Sequence, residues 1–244
     1  LIKDEHIVCA VVRPSTHADL LKKGGVKLYI FDGRIDHLVS FMRKEEFDGV
    51  IHLASLFLAH HAQEDIRGLI DSNVLFSTTL LEASVQSKIP WFINTGTFWQ
   101  HYRDRKYSPV NLYAATKQAF EDIAQYYTET SAINFVTIAL SDTFGPLDTR
   151  PKIFHLWTAL GKTRETLDMS PGKQIVDITY IDNVIDGYER MIALVSQDRK
   201  GKLKGKSFAI SSPERMTLKK LAHVFEQTIL TKLNILLCKR AYGP

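Results

Sequence analysis

Cysteine is nearly absent: Cys9 and Cys238 are the only two in 244 residues. Two thiols so far apart exclude a cysteine zinc cluster and a disulfide framework, and they fit a reducing, cytoplasmic setting with no metal. No apolar run approaches the roughly 18 residues that cross a bilayer, and no basic-then-apolar leader opens the chain, so neither a membrane span nor a membrane partner is expected. Internal repeats and disorder-type composition are missing as well. Glycine is scattered. Of thirteen, only Gly24-Gly25 are adjacent, and they follow Leu20-Leu21-Lys22-Lys23 as a helix C-cap and turn would. Nowhere does a Gly-x-Gly-x-x-Gly turn occur.

Charge is present in both signs, 31 basic against 27 acidic residues, a net of +4. Lys200, Lys202, Lys204 and Lys206 contribute much of the excess, with no aromatic residue interleaved before Phe208. That pattern reads as a solvated loop and argues against nucleic acid as a partner. A mildly basic surface suits an anionic cofactor and a nucleotide-linked substrate. At 45% hydrophobic, the chain has enough apolar residues for one sizeable core, or a core with a small lobe.

Apolar, β-branched runs recur at residues 7–12, 26–31, 49–53, 90–94 and 133–140. Helical patterns separate them, at 36–44, at 64–87 with a break near 71–73, and at 112–128. This alternation predicts an α/β fold, a Rossmann-type doubly wound parallel sheet. After Gly145 the rhythm loosens, with helices expected at 153–160, 182–195 and 218–230 and strands at 174–180 and 207–210. Residues 1–145 therefore read as a dinucleotide-binding domain, and 146–244 as a substrate-binding lobe mixed with the last sheet elements. A sheet of this type needs a glycine-rich turn after its first strand to hold a pyrophosphate. Residues 1–6 look instead like a helix tail entering a second strand, so the first strand and its loop are expected upstream of Leu1.

Thr97 ends the run Phe92-Ile93-Asn94-Thr95-Gly96-Thr97, and Tyr113-Ala114-Ala115-Thr116-Lys117 follows sixteen positions later. A phenol with an ordinary pKa of about 10 exchanges protons poorly at neutral pH unless a cation stabilises its phenolate. Positions i and i+4 share one helix face, which places Lys117 beneath Tyr113. Thr97 would hold the substrate oxygen. The spacing alone is weak, because Tyr102 and Lys106 repeat it, but that copy lies in a charged stretch running into Pro109 and reads as a loop. Tyr113 opens a run of helix formers with Ala119, Phe120 and Ile123 on one buried face.

With these residues in order, the chain resembles the extended short-chain dehydrogenase/reductase family of NAD(P)-dependent sugar-nucleotide epimerases, dehydratases and ketoreductases. The resemblance implies Thr97, Tyr113, Lys117 and Asn73 as a catalytic tetrad, Asn73 organising a water relay to the lysine. It implies a cofactor surface from Asp32 and Gly33 after one strand, the backbone of Leu53, Ala54 and Ser55 after another, Asn73, Tyr113, Lys117 and Ser141. Leu140-Ser141-Asp142-Thr143-Phe144-Gly145-Pro146 is similar to the family's loop beside nicotinamide and sugar. Dimerisation through paired helices, here 64–87 and 112–128, is common in the family, so a homodimer is a possible assembly.

Departures narrow the expectation. Dehydratases of this family carry Asp-Glu after the threonine, where this chain has Phe98-Trp99, neither of which is an acid or base. Those rings either wall a sugar pocket or fill the core. Val176 replaces the family's phosphate-binding arginine, leaving Arg150 and Lys152 as substitutes; with Thr97, Phe98, Trp99 and Asp142 they complete the expected substrate set. The short Thr97-to-Tyr113 connection looks most like 4-ketoreductases of the CDP-abequose and CDP-paratose synthase type. Arg13, at the end of Val11-Val12, favours NADP over NAD, since arginine there meets a 2′-phosphate. The expected activity is NADPH-dependent reduction of a 4-keto-deoxysugar nucleotide. An NAD-dependent 4-epimerase and a non-catalytic dinucleotide sensor are the alternatives.

Overall fold

Strands β4 (Trp91–Thr97) and β5 (Asn134–Leu140) are the longest in the chain, and seven parallel residue pairs join them. β3 (Gly49–His52) extends this sheet on one side and β10 (Ser207–Ile210) on the other, giving the order β10-β5-β4-β3. The computed structural model describes residues 1, 2, 5–148, 150 and 152–239. β1 (Cys9–Val12) and β2 (Lys27–Ile30) form a separate parallel pair, with the five-residue α1 (Asp19–Lys23) between them. β1 and β3 each keep one edge with no ladder partner among the described residues, and no glycine-rich turn lies near either. The expected helix tail at the start falls partly on Lys3 and Asp4, outside the described residues.

Side chains alternate across a strand, so neighbours in β4 serve opposite layers. Phe92 joins Leu38, Met42, Leu81, Phe120 and Phe135 under helices α2 (Ile35–Glu45), α4 (Phe76–Gln86) and α5 (Leu112–Thr130). Val11 and Tyr29 pack against the same cluster, so one helical layer serves both parts of the sheet. Trp91 and Ile93 turn the other way, toward Val184, Tyr188, Met191 and Val195 of α7 (Ile181–Gln197). A third cluster, around Trp157 of α6 (Ile153–Thr163) and Leu218 of α8 (Leu218–Ile229), is the core of the C-terminal part.

Two expectations change. The helix over 64–87 does not break: α3 (Asp65–Ile70) continues through one π-helical stretch, Asp71–Leu75, into α4. The single strand expected at 174–180 is cut at Asp177, whose carboxylate accepts the Ser212 amide at 2.9 Å and the Ser211 hydroxyl at 2.5 Å. Short ladders result. β6 (Asp142–Phe144) pairs with β9 (Ile178–Tyr180), while β8 (Ile175–Val176) pairs with β11 (Met216–Thr217) and β7 (Leu167–Asp168) with β12 (Ile235–Leu236). Runs of two or three residues carry no periodicity by which a sequence would announce them. No helix among the described residues is long and apolar enough to cross a membrane.

Candidate active site

β4 runs three residues past its expected end and so carries Thr97 to the lip of the sheet. There the chain turns into a 3-10 helix, Phe98–Gln100, closed by a capping box. Gln100 Oε1 accepts the Thr97 amide at 2.9 Å, and Thr97 Oγ1 accepts the Trp99 amide at 3.3 Å. With one lone pair engaged, the threonine hydroxyl keeps its proton to donate.

Asn111 caps α5, accepting the Ala114 amide at 2.9 Å, and so sets Tyr113 in the first helical turn. Burial raises the Tyr113 phenol above its usual value, while the neighbouring Ser55 hydroxyl and the Arg150 guanidinium pull it down. The positive end of α5 acts in the same direction as those two. Phe57 lies edge-on to Tyr113, ring centroids 5.0 Å apart, and contacts Trp99 at 5.5 Å.

The loop after β3 that supplies Ser55 and Phe57 is pinned from both sides. Asn73, 1% exposed, takes the Leu56 amide at 2.7 Å and the Ser55 hydroxyl at 3.2 Å on its oxygen. Its nitrogen donates to Leu56 O at 3.0 Å and Thr116 Oγ1 at 2.9 Å. Asn111 Nδ2 holds Leu58 O and Ala59 O from the other side. The Asn73 side chain is thus occupied in joining the π-helical stretch, the loop and α5, and its geometry is that of a clamp.

Lys117 is 2% exposed one turn below Tyr113. Burial lowers its ammonium to about 8, and the Glu121 carboxylate on the next turn opposes that shift. The expected lowering of the tyrosine by Lys117 is not what the structure gives: burial leaves the phenol raised, the cation that opposes this is Arg150, and the charge of Lys117 interacts with Glu121 and His52.

A cleft of about 410 Å³ is lined by Asp142, Thr143, Asp148, Arg150, Lys152 and Phe154 among others; Thr97, Tyr113 and Lys117 are not on its wall, and Arg150 is the lining residue whose charge reaches Tyr113. Arg150 forks onto Asp148, with both bonds at 2.7 Å, and Lys152 meets Asp142 at 3.1 Å. Val176, in the place where the family has arginine, packs into the C-terminal core. Ser141 donates to Asp177 O at 2.5 Å, which fixes the strand end beside the cleft. Phe98 is exposed and Trp99 half-buried, and neither is among the residues that line the cleft.

Arg13 follows β1, and Asp32 and Gly33 follow its partner β2, at the same end of that parallel pair. Arg13 is exposed, and its guanidinium has no partner among the described residues. Asp32 accepts the Arg34 amide at 3.0 Å and faces His37 Nδ1 at 2.6 Å, and these bonds hold its carboxyl below the usual range. Gly33 takes φ +90°, which a side chain rarely tolerates. Leu53 and Ala54 are exposed after β3. Sequence reasoning missed Phe57, Gln100 and Glu121. Gln100 alone left a local trace, the Thr-x-x-Gln capping signature.

The fold and site together define a Rossmann-type α/β protein with a tyrosine and a buried lysine on one helix beneath a strand-end threonine. The chain belongs to the NAD dependent epimerase/dehydratase family, whose pattern matches residues 1–206. It is 29% identical over 141 residues to CDP-abequose synthase of Salmonella typhimurium, covering 57% of this chain and 46% of that protein. UDP-glucuronate 4-epimerase 5 of Arabidopsis thaliana is 28% identical over 186 residues, 69% of this chain and 42% of the relative. The chain thus spans about half the length of these curated relatives. Among solved structures, UDP-glucuronic acid 4-epimerase from Bacillus cereus, in complex with UDP-glucuronic acid and NAD, superimposes with a TM-score of 0.81 at 19% identity, over 100% of this chain and 82% of that one.

Proposed function

We propose that this chain acts as an NAD(P)-dependent oxidoreductase on a nucleotide-linked sugar, and that its reaction is the NADPH-dependent reduction of a 4-keto-deoxysugar nucleotide. Tyr113 carries this reading: a phenol in a helix's first turn, raised by burial but held back by Ser55 and by Arg150, which lines a charged cleft of about 410 Å³. Tyr113 donates its proton to the oxygen that becomes the alcohol, and Thr97, with its hydroxyl proton free, steadies that oxygen. Phe98 and Trp99 offer no acid or base, which speaks against elimination of a neighbouring hydroxyl.

The residues present fit the ribose and 2′-phosphate parts of a dinucleotide, while no glycine-rich turn for its pyrophosphate is found among the described residues. Arg13 offers an unpaired guanidinium for a 2′-phosphate, and Lys117 carries no hydrogen bond among the described residues that would keep it from a ribose. A bound reduced nicotinamide would supply a hydride for the carbonyl carbon, and Tyr113 would hold the proton for the carbonyl oxygen. Residues 1–145 form the dinucleotide-binding part in this reading and 146–244 the substrate lobe, with Arg150 and Lys152 meeting the substrate's anionic group. Exposed Ile66, Ile70, Leu75 and Tyr126 on α3, the π-helical stretch and α5 support a homodimer through those helices.

The likeness to UDP-glucuronate 4-epimerases favours a second reading, in which the same residues oxidise and then re-reduce the sugar. NADPH consumption over a panel of keto and hydroxy nucleotide sugars separates the two: one NADPH per product for the reductase, no net consumption for the epimerase. Tyr113→Phe should abolish turnover while dinucleotide affinity stays within about threefold. Near-native turnover in that variant would sink both readings.

A further inference from the structure

We propose that Glu121 is a positioning residue of this site: it keeps the Lys117 ammonium charged and ties the strand end bearing Thr97 to helix α5. The inference rests on the oxidoreductase reading above for its consequence in turnover, though not for its effect on Lys117.

The geometry around Glu121 is tightly built. Lys117 and Glu121 are four residues apart on α5 and share one face. Across from them, β4 presents Gly96, where a side chain has no room: a Cβ there would lie 2.9 Å from Glu121 Oε1 and 2.8 Å from Thr137 Cγ2. The missing side chain lets the carboxyl reach the strand. Asn94, buried in the same strand, has its amide nitrogen 3.5 Å from Glu121 Oε1, at the outer limit of a hydrogen bond, and 3.2 Å from Thr137 Oγ1. Gln100 contacts the carboxyl as well, while its Oε1 takes the Thr97 amide at 2.9 Å and its Nε2 donates to Gln118 Oε1 at 3.0 Å. One half-buried carboxylate thus shares a helix face with the lysine below Tyr113, and through Gln100 it reaches the backbone of Thr97.

The charges facing this pair are few. Glu121 has Lys117 and Asp122 on its own helix and His101 from the loop after β4, while β4 and β5 contribute only neutral groups. Lys117 has Glu121 on its own helix and His52 from β3. Burial works against each charge singly, raising the Glu121 carboxyl and lowering the Lys117 ammonium, and each partner opposes the shift of the other. Removing the carboxylate leaves burial and no compensating anion, so Lys117 loses its proton at lower pH.

The test follows the Lys117 side chain by lysine-selective NMR over pH 6 to 10 in the full chain, its signal assigned by loss in Lys117→Met. The native protein should titrate near 8. Glu121→Gln should titrate about one pH unit lower, the scale of one lost neighbouring charge, and Glu121→Asp should stay close to native. In turnover the alkaline limb of the kcat profile should move down by the same unit, costing about fivefold at pH 8 and little at pH 6, with the Asp variant largely restored. If Glu121→Gln does not fold, Asn94→Asp adds a carboxyl to the same cluster and should raise the Lys117 midpoint. An unmoved Lys117 midpoint in whichever variant folds overturns the proposal. A shifted midpoint without any turnover in the native chain would instead count against the oxidoreductase reading.

Discussion

Acid should weaken this fold earlier than its carboxylates alone dictate, because His52 is sealed in the core at 1% exposure. Its ring is surrounded by Phe76, Phe92 and Phe120, and Nε2 lies 2.8 Å from Ser77 Oγ, which itself donates to Asn73 O. The ring nitrogen must therefore be the donor to Ser77. Burial first, and the Lys117 charge second, lower its pKa from 6.5 to about 3. The folded chain keeps the ring neutral where the unfolded chain binds a proton. Stability is therefore intact above about pH 6.5 and falls by about 1.4 kcal/mol per unit as pH drops toward 3. At pH 5 the loss from this one residue is about 2 kcal/mol, a sizeable share of a domain's usual 5–15 kcal/mol. Urea unfolding of the native chain and of His52→Gln at pH 7.5 and pH 5 measures it. The variant will differ at both pH values from altered packing, but the change with pH cancels every other titrating group the two share. The native chain should lose about 2 kcal/mol more than the variant between the two conditions. Equal losses would refute a neutral, buried His52.

Two further outcomes follow from the sheet. Gly49 in β3 lies opposite Trp91 in β4, and a Cβ at 49 would come within 2.1 Å of the indole. Gly49→Ala should therefore destabilise by about 1–3 kcal/mol, read from the urea midpoint, and an unchanged midpoint would show that the Trp91 ring shifts freely. If Arg13 meets a 2′-phosphate as proposed, Arg13→Glu should weaken NADPH at least about tenfold more than NADH, because it puts a repelling charge there. Equal changes in the two dissociation constants would remove Arg13 from the cofactor surface.

Whatever depends on neighbours in the chain was legible before any coordinates. The strands at 9–12, 27–30, 49–52 and 134–140 lie inside the expected runs, and β10 at 207–210 matches its expected span. Tyr113 and Lys117 could be paired because helical spacing pairs them, while the copy at Tyr102 falls in a short 3-10 turn with Lys106 exposed. What escaped depends on contacts between distant segments. Phe57 meets Tyr113 across 56 positions, and Arg150 bears on the same phenol from the far side of the Asp142–Phe144 strand. Arg150 was expected to serve only a phosphate. Asn73 lies in the helix, as expected, though in a continuous π-helical stretch where a break was expected, and its four side-chain bonds, all to the loop after β3 and to Thr116, could not be read from spacing.

Those distant contacts decide how acidic Tyr113 is. Burial on its own raises the phenol and makes it a worse proton donor. Each opposing influence comes from a different part of the chain and is held by polar contacts of its own. Ser55 is bonded to Asn73, and the loop beyond it is gripped by Asn111. The α5 terminus owes its start to the Asn111 cap. Arg150 is fixed by Asp148 and by Thr143, whose strand β6 pairs with β9. The last of these belongs to the C-terminal part, whose apolar core is separate from the two that sandwich the main sheet. A tyrosine on the sheet's helical layer therefore has its proton affinity set in part by how the other core is folded. The C-terminal part does more than wall the cleft: it supplies the Arg150 guanidinium that opposes the effect of burial on the phenol.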